Sequence, residues 1–246
     1  MKADTSRQWR LLDLQKLDTR LDQIAHRERT LPLNAEVEQA QQQVRTAEEE
    51  VVLARTALSD VDREITRADV DVQQVRDRAA RNQSRLDAGQ GTAKDLQALQ
   101  HELEALARRQ GDLEEIELEV MERAEELRTT LARREEELET GRARLDKLEG
   151  ERGGELRELT TERERITADR SNVAAGVGQD LLDLYTRIRE QRGGIGAAAL
   201  SQRRCGGCGL EIDQSELARI RGAADDEVLR HDECGRILVR TAESGL

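Results

Sequence analysis

Stepping alternately by three and four residues from Val37 lands on Val37, Ala40, Val44, Ala47, Val51, Ala54, Leu58, Val61, Ile65, Ala68, Val72, Val75, Ala79, Asn82 and Leu86, an apolar series broken only by Asn82. About seven heptads of that spacing, with Glu, Gln and Arg elsewhere, specify an amphipathic helix that buries its stripe on another helix with a left-handed supercoil. At 1.5 Å per residue this arm is roughly 75 to 80 Å long.

The partner lies a few residues on. The stretch Asp87-Ala-Gly-Gln-Gly-Thr-Ala-Lys-Asp95 interrupts the helix with two glycines, and Thr92 followed by Asp95 restarts it in the manner of a capping box. A second seam then runs through Leu99, Leu103, Leu106, Leu113, Val120, Leu127, Leu131, Leu138, Leu145 and Leu148, with weaker positions at Gln110, Glu117 and Arg134. Ala and Val on one arm against Leu on the other interdigitate small with large. The short turn near 87–93 favours an intramolecular antiparallel hairpin over two continuous helices dimerising in parallel, hence an elongated monomer. Folding about residue 90 sets Pro32 opposite residues near 148 to 150, beside Gly150, Gly153 and Gly154, so both arms weaken at one level and a kink or bend is expected there. Ahead of Pro32, Leu14, Leu17, Leu21 and Ile24 form a shorter helix expected to pack near Leu159 and Ile166.

Composition agrees with helices rather than a large globular core. Aromatic residues are 1% of the 246, with no Phe, one Trp (Trp9) and one Tyr (Tyr185), while 37% are charged and Pro occurs once. The net charge of -12 excludes a whole-surface attraction to nucleic acid, so any such contact must be local. No apolar run approaches a membrane span. The expected class is therefore mainly α: a hairpin over 1–175, a connecting helix and linker over 176–200 carrying Leu181, Leu184, Tyr185 and Ile188, and a small domain over 201–246.

All three cysteines fall in that last part, as Cys205-Gly-Gly-Cys208 and His231-Asp-Glu-Cys234. Two ligands separated by two residues form a tight knuckle, and two facing knuckles supply the four tetrahedral positions Zn²⁺ prefers. Twenty-two residues lie between Cys208 and His231, slightly beyond the usual spacing of about 15 to 20. Against a disulfide stand the odd cysteine count and a polar Met1 to Arg10 without a secretory signal, which point to a reducing cytoplasm. A redox Cys-x-x-Cys lacks its βαβ context. Four candidate ligands argue for one closed, structural Zn²⁺, although three cysteines and a water would make an open site if His231 were a bystander. Leu210 with Ile212, Val228 with Leu229, and Ile237 to Val239 read as short strands, and Asp213 with Glu216 as the cap of a small helix.

The runs KDLQALQHELEALARRQGDLEEIELEVME and LLDLYTRIREQRGG, with the closing CGGCG and HDECGRILV, resemble the bacterial coiled-coil-hairpin proteins that end in a C4-type zinc ribbon. The resemblance covers nearly the whole chain, and an excess of Arg over Lys (36 to 4) suits an actinobacterial member. It implies a long antiparallel hairpin with the ribbon at its open end, and a role as adaptor or regulator; some members are linked to a sigma factor or to messenger RNA. The family's third cysteine falls on His231, so the implied site is Cys₃His.

Three functions can be weighed. The first is a non-enzymatic scaffold binding a protein partner, or RNA or DNA through Arg203, Arg204, Arg236 and Arg240 beside the knuckles. Residues 181–246 hold ten Arg against eleven Asp or Glu, so those arginines can equally be ion-paired. The second is a regulator of RNA polymerase or a sigma factor acting through tip residues Asp87, Lys94 and Asp95. The third, an enzyme with a small-molecule substrate, is not expected: GQGTAK joins two helices and lacks the strand-to-helix setting of a phosphate loop, and His26 and His101 sit on long helices.

Overall fold

The computed structural model describes residues 1–89 and 91–246; Gln90, within the expected turn, lies outside the described residues. The chain forms α1 (Thr5–Arg29), α2 (Pro32–Asp87), α3 (Ala93–Ala175), α4 (Gln179–Gln191), β1 (Ala197–Ser201), β2 (Arg204–Cys205), α5 (Gln214–Gly222), β3 (Leu229–Arg230) and β4 (Ile237–Val239). Two compact units result, one from Glu36–Glu149 and one joining Met1–Ala35 to Gly150–Leu246.

The Glu36–Glu149 unit is the antiparallel coiled coil. Val44 and Val51 of α2 bury against Leu138 of α3, with Ala47, Leu131 and Leu145 beside them, and Val61 clusters with Val120 and Ala124. The paired numbers add to about 180, as folding about residue 90 requires. Ion pairs line the rim, among them Arg142 with Glu48 (2.7 Å), Arg55 with Glu135 (2.7 Å), Arg123 with Glu64 (2.6 Å) and Arg76 with Glu114 (2.6 Å). Exposed pairs add little stability each, but a repeated acid–arginine match opposes slippage of one helix along the other. At the tip Thr92 and Asp95 form the expected reciprocal cap. The Thr92 N–H and hydroxyl donate to Asp95 Oδ2 at 2.8 and 2.7 Å, and the Asp95 N–H returns to Thr92 Oγ1 at 3.3 Å.

At the level of Pro32 the two arms differ. The first arm breaks at Thr30 and Leu31, and Pro32 opens α2 at the position where a missing N–H costs nothing. The second arm does not break: α3 runs helical through Gly150, Gly153 and Gly154. Each helical glycine costs only about 1 kcal/mol, too little to interrupt a helix packed on both sides of it.

In the other unit, Ile24 of α1 packs on Leu159 and Ile166 of α3, flanked by Leu17 and Leu21. Leu14 instead joins Leu11, Leu181, Tyr185 and Ile188 in the core between α1 and α4. The sheet has strand order β2-β1-β4-β3, with β1 parallel to β4 and the other neighbours antiparallel. Alternate residues of β1 and β4 face opposite ways. Ala197, Ile237 and Val239 enter the α1/α4 core, whereas Ala198, Leu200 and Leu238 enter the ribbon core with Leu217 and Ile220 of α5. The first strand of the ribbon therefore begins at Ala197, inside the segment expected to be linker. Leu210 and Ile212 are not a sheet strand; Glu211 makes one isolated bridge to Arg204.

Polar side chains fasten this sheet to the helices. Gln15 of α1 accepts the Gly196 N–H at 2.7 Å and donates to the Gly194 carbonyl at 2.8 Å. Buried Asp18 accepts the Tyr185 hydroxyl at 2.7 Å and Arg170 Nε at 2.5 Å, with Arg189 Nε 3.6 Å away. Burial, and then the Asp18 carboxylate, raise the pKa of the Tyr185 hydroxyl, so it stays a donor. The N-terminal residues add a bridge, Lys2 to Glu227, and the Ala3 N–H donates to the Asp226 carbonyl at 2.7 Å.

Candidate metal centre

Both knuckles are built by the same backbone device. In Cys205 to Leu210, the Gly209 N–H donates to the Cys205 carbonyl at 2.8 Å and the Cys205 N–H to the Leu210 carbonyl at 3.0 Å. In His231 to Arg236, the Gly235 N–H donates to the His231 carbonyl at 2.7 Å and the His231 N–H to the Arg236 carbonyl at 3.0 Å. Each turn closes through a glycine with positive φ, Gly209 at 76° and Gly235 at 70°, a conformation that a side chain disfavours. His231 thus stands in the second knuckle where Cys205 stands in the first.

The four side chains converge. One ligand atom from each of Cys205, Cys208, His231 and Cys234 lies within 4.8 Å of every other. Cys205 Sγ is 3.9 Å from Cys234 Sγ, and His231 Nδ1 is 3.4 Å from Cys208 Sγ and 3.1 Å from Cys234 Sγ. Zn–S bonds of about 2.3 Å and a Zn–N bond of about 2.0 Å would place tetrahedral ligands roughly 3.5 to 3.8 Å apart, so the set fits one zinc ion bound through Nδ1. The cysteines are free thiols, and no disulfide competes for them. Cys205, Cys234 and His231 are buried, His231 to 1% exposure, and the fourth vertex is a side chain rather than an open position. Such a closed set is structural: bound zinc would cross-link the two knuckles.

The electrostatics separate the thiols. Burial pushes Cys205 up to about 11, opposed by the N–H groups of Gly207 and Cys208. At Cys234 burial is again the largest influence and acts upward, but hydrogen bonds with the Arg236 N–H, His231, the Arg236 side chain and Cys208 together outweigh it and bring the thiol down to about 6.

Sequence position alone did not reveal Glu216. It lies fifteen residues before His231 on α5, where its place after Asp213 suggested a cap. Asp213 does cap α5, accepting the Glu216 N–H at 2.9 Å. The Glu216 side chain is used elsewhere: it is 3% exposed, accepts the Asp232 N–H at 3.0 Å, and sets Oε2 3.9 Å from His231 Nε2.

Two of the four arginines expected to meet nucleic acid, Arg236 and Arg240, are spent within the fold, whereas the buried Arg203 Nε has no hydrogen-bond partner. Arg240 donates to the carbonyls of Ala223 and Ala224 at the end of α5, at 3.0 and 2.5 Å, and its side chain is 18% exposed. Arg236 donates to the carbonyls of Ile195 and Arg192 at 3.1 and 2.8 Å. Arg203 and Gln202 turn the chain between β1 and β2 with positive φ, their N–H groups held by the carbonyls of Ser244 and Glu243. Arg204 alone of the four is largely exposed, at 62%. At the hairpin tip, Asp95 is occupied by its cap, Asp87 accepts Gln83 Nε2 at 2.7 Å, and Lys94 is exposed. His26 and His101 are exposed and join no metal cluster among the described residues. No helix among those residues is long and apolar enough to cross a membrane.

Comparison with known proteins agrees with this architecture. A Mycobacterium tuberculosis protein described as uncharacterised is 40% identical over 240 residues, covering 98% of both chains. A solved structure from Mycobacterium smegmatis is 36% identical with a TM-score of 0.87, covering 98% of this chain and 100% of that one. CT398 from Chlamydia trachomatis, at 16% identity and TM-score 0.70 over 96% and 98% of the two chains, shares the fold. Residues 14–193 match the CT398-like coiled coil hairpin domain and residues 204–238 the C4-type zinc ribbon domain, so the chain belongs to the CT398-like hairpin family with a C-terminal zinc ribbon in which His231 stands with the three cysteines.

Proposed function

We propose that this protein is a non-enzymatic adaptor whose zinc ribbon and α1 together present a docking surface to a protein partner. The observation that carries this reading is Trp9. The only tryptophan of the chain leaves 54% of its surface exposed, yet its Nε1–H is fixed to the Arg240 carbonyl at 2.9 Å. A rigid, exposed aromatic loses little entropy on contact and is the residue type most enriched at interface hot spots. Its neighbours Thr5, Gln8, Asp225 and Thr241 give a polar rim. Bound zinc would serve as a fold-holder for this surface. RNA or DNA is the lesser reading, because Arg236 and Arg240 are committed to backbone carbonyls. A tip-borne action on RNA polymerase or a sigma factor is lesser too, since Asp87 and Asp95 have local partners.

Affinity capture with the full chain, a Trp9→Ala variant and a Cys205→Ser/Cys208→Ser variant, each with and without nuclease, tests the proposal. The expected result is a protein recovered by the wild type, lost with both variants and indifferent to nuclease. Retention of every partner by both variants, or recovery abolished by nuclease, would contradict it.

A further inference from the structure

We infer that Glu216 is the positioning residue of the metal site, holding His231 in the ring orientation that ligates through Nδ1 and supplying the negative charge that a fourth cysteine would otherwise bring. The arrangement at the imidazole leads to this. Nδ1 faces the sulfurs of Cys208 and Cys234 at 3.4 and 3.1 Å. Nε2 points the other way, is buried, and has no hydrogen-bond partner. When Nδ1 ligates a metal, the neutral ring carries its proton on Nε2, so that N–H is a donor sealed from water. Glu216 Oε2 stands 3.9 Å from it, an electrostatic contact.

Glu216 is itself an unusual residue to find buried. A carboxylate removed from water must be paired, and here Oε1 accepts the Asp232 N–H at 3.0 Å and Arg219 Nη2 at 3.2 Å. Arg219 also holds Asp232, the residue after the ligand, at 2.8 Å. One oxygen is thereby anchored to the knuckle and the other is left for the imidazole. In a capping box the side chain at this position would reach back to the N-cap N–H; Glu216 reaches forward to the metal site instead. Three thiolates and one imidazole carry one negative charge fewer than four thiolates, and Glu216 restores the sum at the ligand where it is missing. Carboxylates that orient a ligating histidine typically change metal affinity 10- to 100-fold when removed.

The test is zinc affinity, by chelator competition, for the full-length wild type, Glu216→Gln, His231→Cys and the double variant. Glu216→Gln should weaken zinc about 10- to 100-fold in the wild-type background. In the His231→Cys background the same change should have no effect or tighten binding, because the carboxylate then faces a fourth thiolate. Equal weakening in both backgrounds, or none in the wild type, would overturn the assignment, since a merely structural glutamate acts regardless of the ligand. Long-range ¹H–¹⁵N spectra of the zinc-loaded wild type decide independently, even if Glu216→Gln proves insoluble. They should show His231 metal-bound at Nδ1 and protonated at Nε2, and a ring bound through Nε2 would refute the inference.

Discussion

Asn82 is buried in the seam of α2; the Glu102 carboxylate is near enough for the amide to help hold its pKa down, but Nδ2 reaches no acceptor in full hydrogen-bonding geometry. A single polar seam residue specifies pairing register at the expense of stability, and an unsatisfied buried amide costs about 1–3 kcal/mol. Asn82→Leu should therefore stabilise the hairpin by about 1 kcal/mol or more, seen as a higher urea midpoint; a lower midpoint would mean that Asn82 has a partner when folded. This position was legible because it is an exception to a strict repeat. His231 was legible for a similar reason, since its spacing copies Cys205. Glu216 was not: α5 must first pack against the second knuckle before a carboxylate distant in sequence can meet the imidazole.

Helices were easier to read than strands. Heptad spacing and local caps belong to neighbouring residues, so α2, α3 and the Asp213 cap of α5 could be placed from sequence. The run Ala197-Ala-Ala-Leu-Ser201 has little strand propensity, and becomes β1 only because β4 pairs with it from almost forty residues away. Leu210 and Ile212 have the alternation of a strand, but the knuckle claims the Leu210 carbonyl. The caps have a pH signature. Hydrogen bonds from Ser215 and the Glu216 N–H hold the Asp213 carboxyl below its ordinary value of 3.8, as Thr92 does for Asp95. A depressed folded pKa contributes stability that is complete above the unfolded value and disappears as pH falls through the folded one. Asp213→Asn should thus destabilise the ribbon at pH 7, with the difference from wild type shrinking as pH falls below 3.8 and disappearing once the folded carboxyl is protonated. A difference independent of pH would show that charge plays no part in the cap.

At the scale of the whole molecule, the consecutive segments 1–175, 176–200 and 201–246 read from the sequence do not coincide with the compact units of the fold. Residues 1–35 and 150–246 form one compact unit, because β1 and β4 bury one face on α1 and α4 and the other on α5. Sequence patterns mark each helix and each knuckle but not which face covers which. One metal held by Cys205, Cys208, His231 and Cys234 would give the ribbon its fold, whereas the coiled coil buries its own seam without one. Structural zinc sites of this kind contribute apparent free energies of about 10–16 kcal/mol near neutral pH, more than such a small sheet can replace. The direct measurement is amide hydrogen exchange across the full chain before and after zinc chelation. Protection should be lost from β1 through β4 and kept over the seams of residues 36–149. Protection that persists through the ribbon after the metal is gone would contradict the account.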